Sequence, residues 1–132
     1  MPRLLLIDDD APFRKMLRTA LELAGHTVTE TSNGKEGLQL YQPSSHAVVI
    51  TDLVMAEMAG LEVIREVRRR NPGARIIALS GGSRYSPDID LDTARALGAS
   101  HVFAKPFPPE RLIAAVRELL APAAPSPGTR EA

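Results

Sequence analysis

Two hydrophobic periods alternate along the chain. Leu4 to Ile7 is an unbroken apolar run that stops abruptly at three aspartates, Asp8, Asp9 and Asp10. Four consecutive apolar residues suit a strand buried on both faces better than a helix. From Pro12 to Ala24 the apolar positions Phe13, Met16, Leu17, Ala20, Leu21 and Ala24 recur at helical spacing, and Gly25 stands where a helix is commonly closed. The β-branched alternation of residues 26–30 predicts a second strand, and Gly34 to Tyr41 a short helix closed by Pro43. Ala47 to Thr51 reads as a third buried strand, again ending in an aspartate, Asp52. Leu61, Val63, Ile64 and Val67 mark a helix from Gly60 to the turn Asn71-Pro72-Gly73. Arg75 to Leu79 is a fourth strand running into Ser80-Gly81-Gly82, followed by a loop and a helix from near Pro87 to Gly98. A brief strand, His101 to Ala104, leads to Lys105-Pro106, and the last helix spans Pro109 to Leu120, with a proline tolerable in its first turn.

Strand and helix thus alternate five times, which predicts an α/β domain over residues 1–120: a parallel sheet covered on both faces by right-handed crossovers. Residues 121–132 are Pro, Ala and Ser without an apolar period and read as a disordered tail. Such sheets carry their functional crevice outside the carboxyl ends of the strands. Here those ends are Asp8-Asp9-Asp10, Asp52, Ser80 and Lys105.

Composition narrows the function classes. A chain of 132 residues accommodates one domain with one sizeable core. Its 16 Lys and Arg balance 16 Asp and Glu, which argues against a nucleic-acid or membrane-surface binder. With no Cys there is no disulfide framework, thiolate metal site or cysteine nucleophile. Five aromatic residues and no Trp weaken any base-stacking or sugar-binding reading. No apolar run approaches the roughly 18 residues of a membrane span. The start, MPRLLLIDDD, lacks the pattern of a secretory signal, so a cytoplasmic location is expected.

The clustered carboxylates constrain the chemistry. Two carboxylates about 4 Å apart at an effective dielectric near 20 repel by about 4 kcal/mol. Converging groups of this kind shift their pKa values or recruit a cation. Only oxygen ligands are on offer at these strand ends, which suits Mg²⁺, or Mn²⁺, rather than zinc. A carboxylate beside such a cation, with a lysine and a hydroxyl nearby, describes a phosphoryl-transfer site in which an Asp can be the nucleophile.

Five marks in order carry a resemblance: Asp8-Asp9 in LLIDDD, Asp52 in VVITDLVM, Met55 to Gly60, Ser80 after the fourth strand, and Lys105-Pro106-Phe107. On these the sequence resembles the receiver domains of two-component response regulators over residues 3–120. The resemblance implies a flavodoxin-like sheet of order 2-1-3-4-5. It implies that Asp52 accepts a phosphoryl group from a histidine kinase or a phosphotransfer protein. Asp9 and Asp52 would bind Mg²⁺ directly, Asp8 through water, and the Val54 backbone carbonyl would add a ligand. Ser80 would switch toward the phosphoryl group, Lys105 would bind it, and the Lys105–Pro106 peptide would be cis. The downstream partner would be a protein, met through the helix closing at Gly98, the last strand and the last helix, as a monomer or a phosphorylation-dependent dimer. A chain that stops about a dozen residues past its last helix would leave output to another protein, and the only catalysis expected is on itself.

Some positions depart from the family pattern. Ala56 stands in place of the usual Pro, Ala59 in place of Asp or Asn, and Val102 in place of the switch aromatic. Phe103 is adjacent but should point to the opposite face of its strand. Val54 and Gly82 offer no side chain to orient an attacking water, which implies slow self-dephosphorylation. Two other functions share the residues: a pseudo-receiver adapter that is never phosphorylated, and a haloacid-dehalogenase-like phosphatase using Asp8-x-Asp10. The second would need an acidic final motif and a cap, and the sequence offers Lys-Pro and none.

Other residues have plainer readings. Asp10 reads as a helix N-cap. Arg65, Arg68, Arg69 and Arg70 form a solvated helix end, with Glu62–Arg65 and Glu66–Arg70 at pairing spacing. Gly81-Gly82-Ser83 lacks the lysine of a phosphate-binding loop. His26, His46 and His101 lack metal-ligand spacing and read as surface or strand-end histidines.

Overall fold

The computed structural model describes residues 3–53, 60–81, 95–96, 98–105 and 107–121. Five strands, β1 (Arg3–Ile7), β2 (Thr27–Thr31), β3 (His46–Asp52), β4 (Arg75–Gly81) and β5 (His101–Lys105), form one sheet in the order β2-β1-β3-β4-β5. All four pairings are parallel. Four helices are described: α1 (Ala11–Leu23), α2 (Gly34–Leu40), α3 (Gly60–Arg70) and α4 (Pro109–Leu120). Of the further helix expected to close at Gly98, the described part is its end. Arg95 and Ala96 are helical, and the Gly98 N–H donates to the Arg95 carbonyl at 3.0 Å with φ at +108°.

The continuous apolar strands are explained by the two cores. Leu4 and Leu6 of β1, Val48 and Ile50 of β3, and Ile77 and Leu79 of β4 pack with Leu17 and Leu21 of α1 and Leu112 and Val116 of α4. The alternate residues, Leu5, Ile7, Val49, Ile76 and Ala78, pack on the other face with Leu38 of α2 and Val63, Ile64 and Val67 of α3. Side chains alternate across a strand, so a sheet covered twice needs apolar residues at every position.

The elements start and stop for local reasons. The Asp10 side chain accepts from the Phe13 N–H at 3.2 Å and caps α1, as expected. At the other end Gly25, φ +100°, donates to the Glu22 carbonyl at 3.0 Å while His26 donates to the Leu21 carbonyl at 3.1 Å. This paired closure satisfies two carbonyls that the helix would otherwise leave open, and it needs the left-handed conformation that glycine adopts freely. Asn33 caps α2 through a 2.7 Å bond from the Glu36 N–H. β3, β4 and β5 each run one or two residues past their apolar runs, because ladder bonding continues through the polar ends: Asp52 is in register with Leu79, and Ser80 with Ala104.

Candidate functional site

Chain winding reverses between β1 and β3, since β2 lies outside β1 while β4 and β5 lie beyond β3. This is the switch point where open α/β sheets bind their ligands. Ile7 is in register with Thr51, so Asp8 and Asp52 emerge side by side at the carboxyl edge. Both share the parity of Leu6 and Ile50, on the α1 face.

Asp8 is fully buried, Asp52 is 4% exposed, and Asp9 faces solvent. One carboxylate oxygen from each of the three falls within 4.8 Å of the others. Asp8 is held at every polar atom. Its N–H donates to the Thr31 carbonyl at 3.1 Å, and its carbonyl accepts from Arg14 Nη1 at 2.7 Å. Its Oδ1 accepts from the Asp10 N–H at 2.9 Å and its Oδ2 from Lys105 Nζ at 2.8 Å. The same ammonium donates to Asp52 Oδ2 at 3.1 Å.

Lys105 arrives at the end of β5 with its side chain mostly buried, 12% exposed. Its Nζ lies 4.4 Å from the centroid of the Phe13 ring, and Phe107 stands against both Phe13 and Phe103 at centroid distances of 5.7 and 5.2 Å. Burial, the largest single influence, pulls the lysine pKa down. The hydrogen bond it donates to Asp8, the charges of Asp52 and Asp8 and the bond it donates to Asp52 together outweigh it and leave the pKa above the ordinary lysine value. The ammonium is therefore a fixed positive charge at neutral pH.

Among the described residues, the Lys105 ammonium bridges two of three converging carboxylates, and the atoms they bring together are carboxylate oxygens. The set fits a hard divalent cation such as Mg²⁺, with Asp9 its exposed member. Ser80 is 1% exposed and lies one residue beyond Leu79, the register partner of Asp52. Its strand stands between those of Asp52 and Lys105. Its parity matches Ala78, on the α2 and α3 face. Val102 packs against that core and Phe103 against the opposite one, as the strand period predicts.

Several expectations lie outside the described residues: the Val54 carbonyl, Ala56 and Ala59, Gly82, the Pro106 peptide, the helix start near Pro87 and the tail from 122. Among the described residues, Glu66 pairs with Arg70 at 2.9 Å and also with Arg69, while Glu62 and Arg65 form no ion pair. His46 is at a strand end but buried, and His101 Nε2 lies 3.1 Å from Glu118. Sequence reasoning missed Arg14, Glu30 and Phe13 as neighbours of the site. The available signal was Arg14 and Arg18 one helical turn apart, preceding a lone acid, Glu30, in a β-branched strand.

Fold and site together define a class: a flavodoxin-like α/β domain with a lysine-bridged acidic pocket at its switch point. Residues 4–117 match the response regulator receiver domain family, and the chain belongs to it. Chemotaxis protein CheY of Thermotoga maritima is 33% identical over 118 residues, covering 89% of this chain and 96% of that protein. Response regulator receiver protein CpdR of Brucella abortus is 32% identical over 120 residues, covering 91% and 98%. The structure of response regulator protein TrrA from Thermotoga maritima, solved in complex with Mg²⁺-BeF, matches with a TM-score of 0.77 at 31% identity. That match covers 91% of this chain and 100% of the other. No helix among the described residues is long and apolar enough to cross a membrane.

Proposed function

We propose that this receiver domain is a cytoplasmic phosphorylation switch that takes a phosphoryl group onto Asp52 from the phosphohistidine of a sensor kinase or phosphotransfer protein. The reading is carried by one observation: Asp8 and Asp52, joined by Lys105 at 2.8 and 3.1 Å, with the Asp9 carboxylate converging on them at the switch point. An Asp52 carboxylate oxygen attacks phosphorus and the P–N bond breaks with its electron pair returning to the ring nitrogen; the phosphohistidine, already protonated on its other ring nitrogen, leaves as neutral imidazole while Asp52 becomes an acyl phosphate. Asp9 and Asp52, with the Val54 carbonyl, would hold Mg²⁺ directly and Asp8 through water, and the ion would supply charge neutralisation for the phosphoryl oxygens. Lys105 is already poised between the carboxylates and donates to a phosphoryl oxygen, and the Ser80 hydroxyl donates to another. Hydrolysis returns Asp52 to a carboxylate, and no separate substrate is turned over. Output is protein binding through the helix closing at Gly98, β5 and α4, or relay of the phosphoryl group to a further histidine.

The test is incubation with acetyl phosphate and Mg²⁺, followed by intact mass and peptide mapping. One phosphoryl group is expected on Asp52, absent without metal and absent in Asp52→Asn. An unmodified wild-type protein would sink the switch in favour of an adapter, and label on Asp8 would redirect the reading toward the phosphatase chemistry.

A further inference from the structure

We infer that Arg14 and Glu30 act as a positioning pair for the metal-binding turn, fixing the backbone of Asp8 so that the carboxylates of Asp8 and Asp9 converge on one cation. The inference rests on the metal-dependent reading above and adds to it two residues outside the acidic cluster.

The turn between β1 and α1 has to do something awkward. It must present two adjacent carboxylates to the same point, although successive side chains of an extended chain point apart. Asp8 has just left the ladder, so its carbonyl no longer has a strand partner. That carbonyl is taken by a side chain instead: Arg14 Nη1 donates to it at 2.7 Å from the first turn and a half of α1. Arg14 is also tied to the turn through its own N–H, which donates to the Asp10 carbonyl at 2.8 Å.

The guanidinium is in turn held from the far side. Arg14 Nε donates to Glu30 Oε1 at 2.6 Å, and the other oxygen of Glu30 accepts from Arg18, which also reaches Glu22 at 3.0 Å. Glu30 sits on β2, in register with Leu6, two residues before Asp8. A rigid fork is therefore anchored on the neighbouring strand and delivers one prong to the backbone of a metal-site residue. Both side chains are mostly buried, 18% exposed for Arg14 and 25% for Glu30. The bonds from Arg18 and then Arg14 hold the Glu30 carboxyl below its ordinary pKa, so that carboxyl is ionised at neutral pH.

Charge separates this role from simple electrostatic help. A lone guanidinium beside Asp8 would screen the cluster and compete with a cation. Paired with Glu30 it is neutral at a distance, and what remains is geometry. Groups that orient metal ligands without touching the metal commonly cost ten- to a hundred-fold in affinity when removed. Lysine keeps the charge but cannot span two acceptors with a planar fork.

The experiment is calorimetric Mg²⁺ titration of the full chain without phosphodonor, for wild type, Arg14→Gln, Arg14→Lys and Glu30→Gln, with Asp9→Asn as the control that removes a ligand. All three pair variants are expected to bind Mg²⁺ about tenfold more weakly, with unfolding midpoints still two-state. Phosphorylation of Asp52 should recover toward the wild-type rate at saturating Mg²⁺, because the variants weaken the metal site without removing the nucleophile. Wild-type affinity in Arg14→Lys would overturn the fork, leaving only charge. Lowered stability with unchanged Mg²⁺ affinity in Arg14→Gln and Glu30→Gln would reduce the pair to an ordinary structural bridge and overturn the inference. Absence of Mg²⁺ binding in the wild type would instead bring down the functional reading beneath it. Should Arg14→Gln fail to fold, Glu30→Gln, which keeps an oxygen acceptor on β2, carries the test alone.

Discussion

At the scale of single residues, Lys105 is the hinge of the site. It is the cation that lets two buried carboxylates, Asp8 and Asp52, share one pocket. Removing one partner of a buried charge cluster typically costs 3–5 kcal/mol, because the remaining charges lose their compensation. Lys105→Ala should therefore lower stability by about 3 kcal/mol in chelator and recover part of it on adding Mg²⁺. Urea unfolding with and without the metal reads this directly, and an unchanged midpoint would show that the lysine does not neutralise the pair. His46 makes a second residue-scale prediction. Its Nδ1 accepts from the Gln42 N–H at 2.9 Å, so the ring is neutral with its proton on Nε2, facing Thr29. Burial, then Arg3, lowers its pKa, and burial, then Arg117, does the same to His26. A histidine with a depressed folded pKa lets the unfolded chain take up the proton first. Stability is then fully present above the unfolded value of about 6.5 and falls as pH drops below it. Denaturation midpoints between pH 8 and pH 5 should show this slope, flattened in His46→Gln; a His46→Gln slope identical to wild type would leave His46 out of it.

Among elements, the close seating of α3 on β3 decides where the Asp52 backbone lies. Gly60 opens α3, and its N–H donates to the Leu53 carbonyl at 3.1 Å. A Cβ there would overlap the Asp52 carbonyl oxygen and come within 2.6 Å of the Leu53 Cα, both of them backbone atoms that cannot swing aside. Gly60→Ala should thus cost about 2 kcal/mol or more and slow phosphorylation of Asp52, since the helix can relax only by moving the acceptor. Gly25→Ala is the useful contrast. Nothing lies within 4 Å of its Cβ, so only the strain of φ +100° is incurred, about 1 kcal/mol, with no effect on the site. Equal phosphorylation rates in the two variants would refute the seating argument. The described elements were readable from the chain: the apolar runs, Gly25, Asn71-Pro72-Gly73 and Pro109 set those strands and helices to within a residue or two. Their ends were less so, because Asp52, Ser80 and Lys105 are polar yet stay in the ladder, and period alone does not reveal where ladder bonding stops.

For the whole molecule, the proposed Mg²⁺ binding would be linked to folding. A ligand that binds only the native state at a hundred times its dissociation constant adds about 2.7 kcal/mol to stability. Mg²⁺ should raise the unfolding midpoint accordingly, and Asp9→Asn, which removes an exposed carboxylate, should abolish the rise while leaving the fold intact. A rise that survives in Asp9→Asn would place the cation elsewhere. The chain's zero net charge hides the segregation behind this effect: carboxylates gather at one edge of the sheet, while Arg68, Arg69 and Arg70 close α3. What the sequence determined by itself was the alternation of strands and helices, and with it which side chains reach the carboxyl edge. Period and punctuation are local properties, and a parallel sheet turns order along the chain into order along an edge. Tertiary structure alone decided how those side chains meet. The lysine bridge between Asp8 and Asp52 joins residues 97 and 53 positions apart, and the Arg14–Glu30 fork joins a helix to the next strand. Such contacts depend on register between strands and on helix seating, which no local pattern encodes.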